Sequence, residues 1–182
     1  MRKITIVTGN PGKVRELQAM AMGKLSFVTR DLEIAEIQSL DLEEIVRDKA
    51  KKAYAQIKGP VIVDDVSAGL DSLQGLPGPF IKFFNSQIGG DSLWQLSKSK
   101  NEIVTVSCIA AYYDGAKLLM GKGTIQGIVV EPRGKNGFGF DAVIVPDGQL
   151  LTMAEMTEEQ KMRVSHRGKA FRDLIQQLEK LK

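Results

Sequence analysis

Residues 61–84 constrain the fold more than any other stretch of this 182-residue sequence. The stretch begins with the β-branched run Val61-Ile62-Val63, which is typical of a buried strand. Two adjacent acids, Asp64 and Asp65, follow at the predicted exit of that strand. Because open α/β sheets bind ligands beyond the ends of their strands, the acids predict a functional site. The alternative is a pair of acids that only ends the strand and caps the next segment.

Composition favours a single globular domain over residues 1–182, with 43% hydrophobic and 26% charged residues. One cysteine and one histidine exclude an internal disulfide and an all-protein Cys/His zinc site. No apolar run approaches the roughly 20 residues of a membrane span, and the N-terminus does not resemble a signal peptide. We therefore expect a cytoplasmic protein without a membrane partner. A net charge of +3 is too small to indicate nucleic-acid binding.

The first predicted unit is a strand over residues 3–8 that leads through a glycine-rich turn into a helix reaching about Met22. Asn10 is a favourable N-cap and Pro11 suits the first helical position. A helix N-terminus with free N–H groups and a nearby lysine, Lys13, is typical of a phosphate-binding turn. An ordinary capped helix start is the alternative.

A second strand is predicted over residues 25–29, and a second helix over residues 42–58 with Gly59-Pro60 as its stop. The residues 41–44 have the form of a capping box. Glu36 lies in the connection before this helix, where its carboxylate is free to reach a metal. The alternative for Glu36 is a solvated surface charge.

A long hairpin follows a short helix over residues 92–97. Its strands are predicted at residues 103–113 and 117–130, because Asp114-Gly115 is a strong two-residue turn signal. A further strand is predicted at residues 142–145. The elements together predict an α/β fold with a mixed central sheet, a long antiparallel hairpin, and two lobes around an active-site cleft.

Two C-terminal segments carry residue types that bind aromatic and anionic ligands. Phe138 and Phe140 are either core residues or a stacking platform. Ser165 is the predicted N-cap of the last helix, and cations follow it, including Arg167. Cations in a first turn oppose the helix dipole by a few tenths to about 1 kcal/mol each, so their presence predicts a bound anion.

Separated carboxylates at Glu36, Asp64 and Asp65 without a Cys/His cluster imply a hard cation such as Mg²⁺, which bridges carboxylates and phosphates. The single histidine and the lack of a G-x-S-x-G motif argue against a serine hydrolase. The residues therefore predict an Mg²⁺-dependent enzyme that acts on a phosphorylated, aromatic small molecule.

The same residues resemble the inosine triphosphate pyrophosphatase family, which hydrolyses non-standard purine nucleoside triphosphates (ITP, dITP, XTP) to the monophosphate and pyrophosphate. The matching pieces run nearly from end to end of the chain. They are residues 8–13 (TGNPGK), Glu36, 63–65 (VDD), 75–79 (GLPGP), 137–141 (GFGFD), 154–156 (AEM) and 165–167 (SHR).

The resemblance implies a role for each matching residue. Asp65 would be the general base and would hold Mg²⁺ together with Glu36. Asn10, Lys13 and Lys161 would hold the triphosphate. The resemblance places the full set of substrate contacts at Thr8, Gly9, Asn10, Pro11, Gly12, Lys13, Val66, Phe138, Gly139, Phe140, Asp141, Lys161, His166 and Arg167. It also implies a homodimer that cleanses the cytoplasmic nucleotide pool.

The sequence departs from the family pattern in two ways. Asp64 stands where the family usually has Glu, and Val66-Ser67 replaces Ser or Thr followed by Gly. The alternatives are a related pyrophosphatase with another base preference, such as a pyrimidine or a modified nucleotide, and a nucleotide- or RNA-binding module without turnover.

Overall fold

A computed structural model describes residues 3–21 and 26–180 and shows one mixed sheet with helices on both faces. The strand order is β2-β1-β3-β5-β6-β7, and β4 pairs with β3. The strands are β1 (Ile4–Val7), β2 (Phe27–Arg30), β3 (Val61–Leu70), β4 (Pro77–Gly78), β5 (Ile103–Tyr113), β6 (Leu118–Val129) and β7 (Ile144–Pro146). The helices are α1 (Pro11–Ala21), α2 (Leu42–Ile57), α3 (Ile81–Gln87), α4 (Ser92–Leu96), α5 (Glu158–Val164) and α6 (His166–Glu179).

The N-terminal half is a parallel unit whose two crossover helices lie on opposite faces of the sheet. β1 pairs in parallel with both β2 and β3. Leu17 of α1 packs with Ile62 in the larger core cluster, whereas Val46 of α2 packs with Val63 in the smaller one. The chain therefore changes face between β1 and β3, and open α/β sheets bind ligands at such a point.

β3 is much longer than predicted. It runs over ten residues and pairs with β5 from Val61 opposite Tyr113 to Leu70 opposite Val104. The prediction that Asp64 and Asp65 lie at the strand exit is therefore wrong, because antiparallel pairing with β5 carries the strand past them. The two acids nevertheless lie level with the carboxyl end of β1, since Ile6 is opposite Ile62.

The predicted hairpin is confirmed, with β5 and β6 paired from Ile103 opposite Ile128 to Tyr113 opposite Leu118. α6 packs closely on this hairpin. A Cβ atom at Gly121 would overlap the carbonyl oxygen of Ala170, so the glycine allows the helix to approach the sheet. The mixed α/β sheet of the prediction is thereby confirmed.

Several boundaries differ from the predictions. α2 ends at Ile57, one residue before the predicted end, because Lys58 adopts the left-handed conformation (φ 58°) and caps the helix. Residues 142–145 are not a strand throughout, since a 3-10 turn occupies Gly139–Val143 before β7 begins. α3 was not predicted. Met22 and Leu25, two predicted element ends, lie outside the described residues.

No helix in the described ranges, 3–21 and 26–180, has the length and apolar character that crossing a membrane requires.

We predict that Gly121→Ala destabilises the fold by about 1–3 kcal/mol, because the added methyl must push α6 away from β6. Each kcal/mol corresponds to about 2–4 °C in Tm for a chain of this size. Gly59→Ala is the matched control, since a Cβ there meets only Ile57 at 3.8 Å. Thermal melts that show equal Tm values for the two variants would contradict this packing account.

Candidate active site

A cleft of about 610 Å³ lies over the carboxyl end of β1. The turn between β1 and α1 and the middle of β3 line it. α3, the segment 138–141 and the first turn of α6 complete the lining. The cleft therefore occupies the point where the chain changes face, as the topology predicts.

The turn before α1 is capped as predicted. The Asn10 Oδ1 atom accepts hydrogen bonds from the backbone N–H groups of Gly12 (2.8 Å) and Lys13 (3.3 Å). Thr8 Oγ1 accepts from the Asn10 N–H at 3.1 Å. These bonds hold the turn open toward the cleft and direct the Lys13 side chain to Asp64, with Nζ 2.9 Å from Oδ2.

Asp64 lies on the α1 and α6 face of β3 and is 3% exposed. Its Oδ2 atom contacts Lys13 Nζ at 2.9 Å and Arg167 Nε at 3.2 Å. Burial alone would raise the pKa of Asp64, but Lys13 and Arg167 outweigh it and hold the pKa well below its usual range. Asp64 is therefore a fixed negative charge between two cations.

Asp65 points to the opposite face, because side chains alternate along a strand. Its Oδ2 atom lies 3.3 Å from Lys49 Nζ, and its Oδ1 atom accepts the Val66 N–H at 2.9 Å. The same ammonium lies 2.8 Å from Glu36 Oε1, and Lys82 also contacts Glu36. Two carboxylates and two ammonium groups thus face this side of the cleft.

Charge pairing shifts the pKa values of Glu36 and Lys49. Burial raises the pKa of Glu36, but Lys49 and Lys82 outweigh it and the net pKa is lowered. Burial lowers the pKa of Lys49, but Asp65 and Glu36 raise it well above its usual range. Glu36 and Lys49 are therefore ionised at neutral pH.

The Glu36 and Asp65 carboxylates fit a magnesium ion. Both contact the same ammonium, so they lie close together, and both supply the oxygen donors that Mg²⁺ prefers. The described residues hold no group of three or more His, Cys, Asp or Glu side chains that could bind a metal. A two-carboxylate site suits Mg²⁺, which usually keeps several waters or phosphate oxygens.

The opposite end of the cleft is aromatic. The Phe138 ring has Lys161 Nζ 4.7 Å and the Arg167 guanidinium carbon 5.2 Å from its centroid. The Phe140 and His166 rings lie 6.0 Å apart, centroid to centroid, at an angle of 40°. Phe140 is also part of the larger core cluster, so it serves both the core and the cleft.

His166 is buried, and neither of its ring nitrogens has a hydrogen-bond partner among the described residues. Burial, with help from Arg167 and Lys161, holds the pKa of His166 well below its ordinary value. The imidazole is therefore neutral and offers one donor and one acceptor. Unpartnered buried polar atoms are costly, which favours a polar ligand at this end of the cleft.

The cations near the start of α6 are matched by the protein's own carboxylates. Arg167 pairs with Asp64 and also with Glu16, whose Oε2 lies 2.8 Å from Nη1. Lys161 pairs with Glu16 and Asp141, each at 2.6 Å. The charge of Arg167 is therefore balanced without a bound anion.

Most predicted site residues line the cleft. They are Thr8, Gly9, Asn10, Lys13, Glu36, Asp65, Val66, Phe138, Gly139, Phe140, Asp141, His166 and Arg167. Pro11, Gly12 and Lys161 lie behind the lining and border smaller cavities instead. For Lys161 the physical reason is its pairing with Glu16 and Asp141.

Three charged residues were not predicted from the sequence: Glu16, Lys49 and Lys82. The sequence contains a signal for a partly buried Lys49, because this lysine lies four residues after Ile45 and four before Ala53, which are both buried. A lysine within the apolar stripe of a helix is expected to have a partner. Lys82 was missed together with α3.

Comparisons with known proteins identify the family. The model of the Ham1 family matches residues 4–177. The chain belongs to the Ham1 family. It is 42% identical over 173 residues to "Inosine triphosphate pyrophosphatase 2" of Trypanosoma cruzi, covering 93% of this chain and 88% of that relative. The "dITP/XTP pyrophosphatase" of Thermococcus kodakarensis is 37% identical over 175 residues, 94% of each chain.

Solved structures of Ham1 proteins share the fold. The Ham1 protein of Staphylococcus aureus aligns over 100% of both chains with a TM-score of 0.83 at 24% identity. The HAM1 protein of Coxiella burnetii gives the same TM-score and identity over 99% of this chain and 100% of its own. The predicted resemblance to the inosine triphosphate pyrophosphatase family is thus confirmed by the family and its named relatives.

We predict that Asp64→Asn lowers the free energy of unfolding by about 3–5 kcal/mol at pH 7, because it leaves Lys13 and Arg167 with an uncompensated buried charge. The folded pKa of Asp64 is below its unfolded value. Its contribution is therefore complete above about pH 3.9 and declines as the pH falls further. The difference between wild type and variant should shrink below about pH 4.

Chemical denaturation at several pH values between 2 and 7 measures that difference. Asp147→Asn, in an exposed turn, is the matched control and should stay within about 0.5 kcal/mol of wild type. A deficit for Asp64→Asn that is small at pH 7, or that grows on acidification, would argue against the paired state of Asp64.

Proposed function

We propose that this protein hydrolyses the non-standard purine nucleoside triphosphates ITP, dITP and XTP to the nucleoside monophosphate and pyrophosphate, and so removes them from the nucleotide pool. One observation supports the proposal most strongly. A single cleft is lined both by charged side chains, among them Lys13, Lys49 and Lys82, and by the aromatic ring of Phe138. A nucleotide has the same division between its phosphates and its base.

Asp65 is the residue best placed to act as general base. It lines the cleft, and its orientation is fixed because Oδ1 accepts a hydrogen bond from the backbone N–H of Val66. In the proposed step Asp65 takes a proton from water, the water oxygen bonds to phosphorus, and the phosphoanhydride bond breaks. Pyrophosphate then leaves with the bonding electrons. Asp64 does not compete for this role, since it is buried on the other face between two cations.

Glu36 and Asp65 would hold Mg²⁺, which when bound would neutralise phosphate charge and polarise a phosphoryl oxygen. Lys49 and Lys82 already contact these carboxylates. We propose that the two ammonium groups bind phosphate oxygens when substrate enters. Lys13, on the opposite wall, supplies a third cation to the triphosphate.

The purine would occupy the aromatic end, stacked on Phe138 and bordered by His166 and Arg167. ITP and XTP carry a carbonyl acceptor at position 6, where adenine carries an amino donor. A site that offers donors there satisfies the carbonyl and opposes the amino group. Such sites reject analogues that lack the matching group by about 10⁴- to 10⁵-fold. GTP shares the carbonyl, so its exclusion depends on the 2-amino group and is weaker.

We also propose that the protein works as a cytoplasmic homodimer in which residues 1–182 form one nucleotide pyrophosphatase domain. α2 covers only part of its face of the sheet. The uncovered part includes Ile103, which is 51% exposed, together with Thr105 and Gln126. A second copy would cover this apolar side chain. Light scattering that finds only monomer at micromolar concentration would contradict the proposed homodimer.

The proposed function is tested by turnover of ITP, XTP, GTP, ATP and a pyrimidine triphosphate with Mg²⁺, with product identification. We expect pyrophosphate release, and kcat/KM in the order ITP and XTP above GTP above ATP. Preference for the pyrimidine would indicate a related pyrophosphatase with another base preference. Nucleotide binding without turnover would indicate a binding module, and release of orthophosphate would exclude the proposed reaction.

Asp65→Asn should reduce kcat by about 10²- to 10⁴-fold, because an amide cannot accept a proton from water. The fold should remain, which circular dichroism and thermal melting check. Asp147→Asn removes a carboxylate of the same size from the surface and should leave kcat unchanged. A folded Asp65→Asn protein with near wild-type kcat would show that another group activates the water.

Glu36→Gln should raise the Mg²⁺ concentration for half-maximal activity about tenfold or more, since a site with two protein carboxylates loses half of its ionic ligands. The variant should keep a Tm close to that of wild type, because Glu36 is partly exposed. Glu43→Gln on α2, which pairs with Lys122 away from the cleft, is the control. An unchanged Mg²⁺ titration would make Glu36 a surface charge.

A further inference from the structure

Asn85 lies in the last turn of α3 and lines the cleft, where it is half-buried. It follows Lys82 by three residues, so the two side chains are neighbours on one face of the helix. Lys82 contacts Glu36, one of the two carboxylates that would hold Mg²⁺. α3 therefore presents a second polar side chain to the cleft, one turn beyond Lys82, and this one is uncharged.

The amide nitrogen of Asn85 lies against the segment that carries Phe138. A Cβ atom at Gly139 would lie 3.4 Å from Asn85 Nδ2, and Gly139 has a left-handed φ of 60°, which favours glycine. A Cβ atom at Gly90, in the connection after α3, would overlap the carbonyl oxygen of Gly139. The two glycines thus allow α3 and its connection to approach this segment closely. The Asn85 amide nitrogen is therefore beside the residue that follows Phe138.

The orientation of the Asn85 amide is set from the protein side by Ser92, the first residue of α4. The Ser92 hydroxyl donates a hydrogen bond to Asn85 Oδ1 at 2.8 Å, and Ser92 is fully buried. Because this bond engages the amide oxygen, the group that Asn85 offers to a ligand is its NH₂. Among residues 3–21 and 26–180, no hydrogen-bond partner engages that NH₂ group.

We infer that Asn85 is a specificity-determining residue, which donates a hydrogen bond from Nδ2 to a sugar hydroxyl of the bound nucleotide. The inference rests on the proposed function, which assigns the phosphates to Lys82 and its neighbours and the base to Phe138. The sugar of a nucleotide connects its phosphates to its base. Asn85 lies one helical turn from Lys82 and beside the residue after Phe138, so it lies between the two proposed subsites.

The chemistry of the free NH₂ group matches a hydroxyl. A hydroxyl oxygen accepts a hydrogen bond from an amide N–H, while its own hydrogen still donates to water. Phosphate oxygens are better served by the ammonium groups of Lys49 and Lys82, because charged hydrogen bonds are about twice as strong as neutral ones. A purine also carries acceptors, so contact with the base is the alternative that an experiment must separate from contact with the sugar.

The experiment measures kcat/KM for ITP, its 2′-deoxy and 3′-deoxy analogues, and ATP, in wild type, Asn85→Leu and Asn85→Ala. Leucine keeps the size of asparagine without its polar atoms, and alanine repeats the test with a smaller side chain. Gln87→Met is the matched control, because Gln87 is an exposed amide on the same helix and lies outside the cleft lining. Ratios between substrates do not depend on the fraction of enzyme that is folded.

In wild type we expect kcat/KM to fall by about 3- to 10-fold for the analogue that lacks the hydroxyl bound by Asn85, since one neutral hydrogen bond contributes that much. In both Asn85 variants, ITP and that analogue should agree within about twofold, because the partner of the hydroxyl is gone. The ITP to ATP ratio should stay as in wild type. Gln87→Met should keep all wild-type ratios. The analogue that shows the loss identifies the hydroxyl as 2′ or 3′.

Several outcomes would overturn the inference while the proposed function stands. Equal kcat/KM for ITP and both deoxy analogues in wild type would show that no sugar hydroxyl is bound. A loss that persists in the Asn85 variants would assign the hydroxyl to another residue. An altered ITP to ATP ratio with unchanged sugar ratios would place Asn85 at the base. Failure of both Asn85 variants to fold would make the amide a structural group.

If wild type hydrolyses none of the four triphosphates, the proposed function itself fails, and this inference fails with it.

Discussion

The pairing of Asp64 with Lys13 and Arg167 is the interaction on which the site depends. It joins three separate elements: the first turn of α1, the middle of β3 and the first turn of α6. A buried carboxylate costs several kcal/mol of desolvation, and only close pairing with cations offsets that cost. The two cations in turn need this carboxylate, because both are largely withdrawn from water. One side chain therefore fixes the relative positions of the elements that we propose to bind the phosphates and the base.

Side chains alternate between the two faces of β3, so Asp65, the neighbour of Asp64, lies in a different environment. Asp65 faces α2, where Lys49 and Glu36 form a more open group beside the cleft. Because antiparallel pairing with β5 holds this part of β3 straight and regular, the two carboxylates cannot exchange places. The strand thus separates a structural charge, Asp64, from the carboxylate that we propose as the general base, Asp65. The Asp64 departure from the family pattern lies at the structural position, so it does not involve the carboxylate that we propose as the general base.

Local signals in the sequence predicted the hairpin, the Asn10 cap and the Ser165 cap, because each depends on neighbouring residues alone. The position of Asp64 and Asp65 within a long strand was not predictable, since it depends on pairing with β5, some 45 residues away. The partners of Arg167 were missed for the same reason: Glu16 is 151 residues distant in sequence. Sequence motifs identified most of the residues that line the cleft. Ion pairs between residues distant in sequence determine which charged side chains face the cleft and which face each other.

The ionisation of Asp64 tests the account most directly. Carbon-13 NMR of side-chain carboxyl carbons, with Asp64→Asn to assign the signal, follows this group as the pH falls from 7 to 3.5. Because Lys13 and Arg167 outweigh burial and keep the pKa low, the signal should remain that of a carboxylate at pH 3.5. An unperturbed aspartate, with a pKa of about 3.9, is mostly protonated there. Titration of Asp64 with a midpoint at or above that ordinary value would contradict the account.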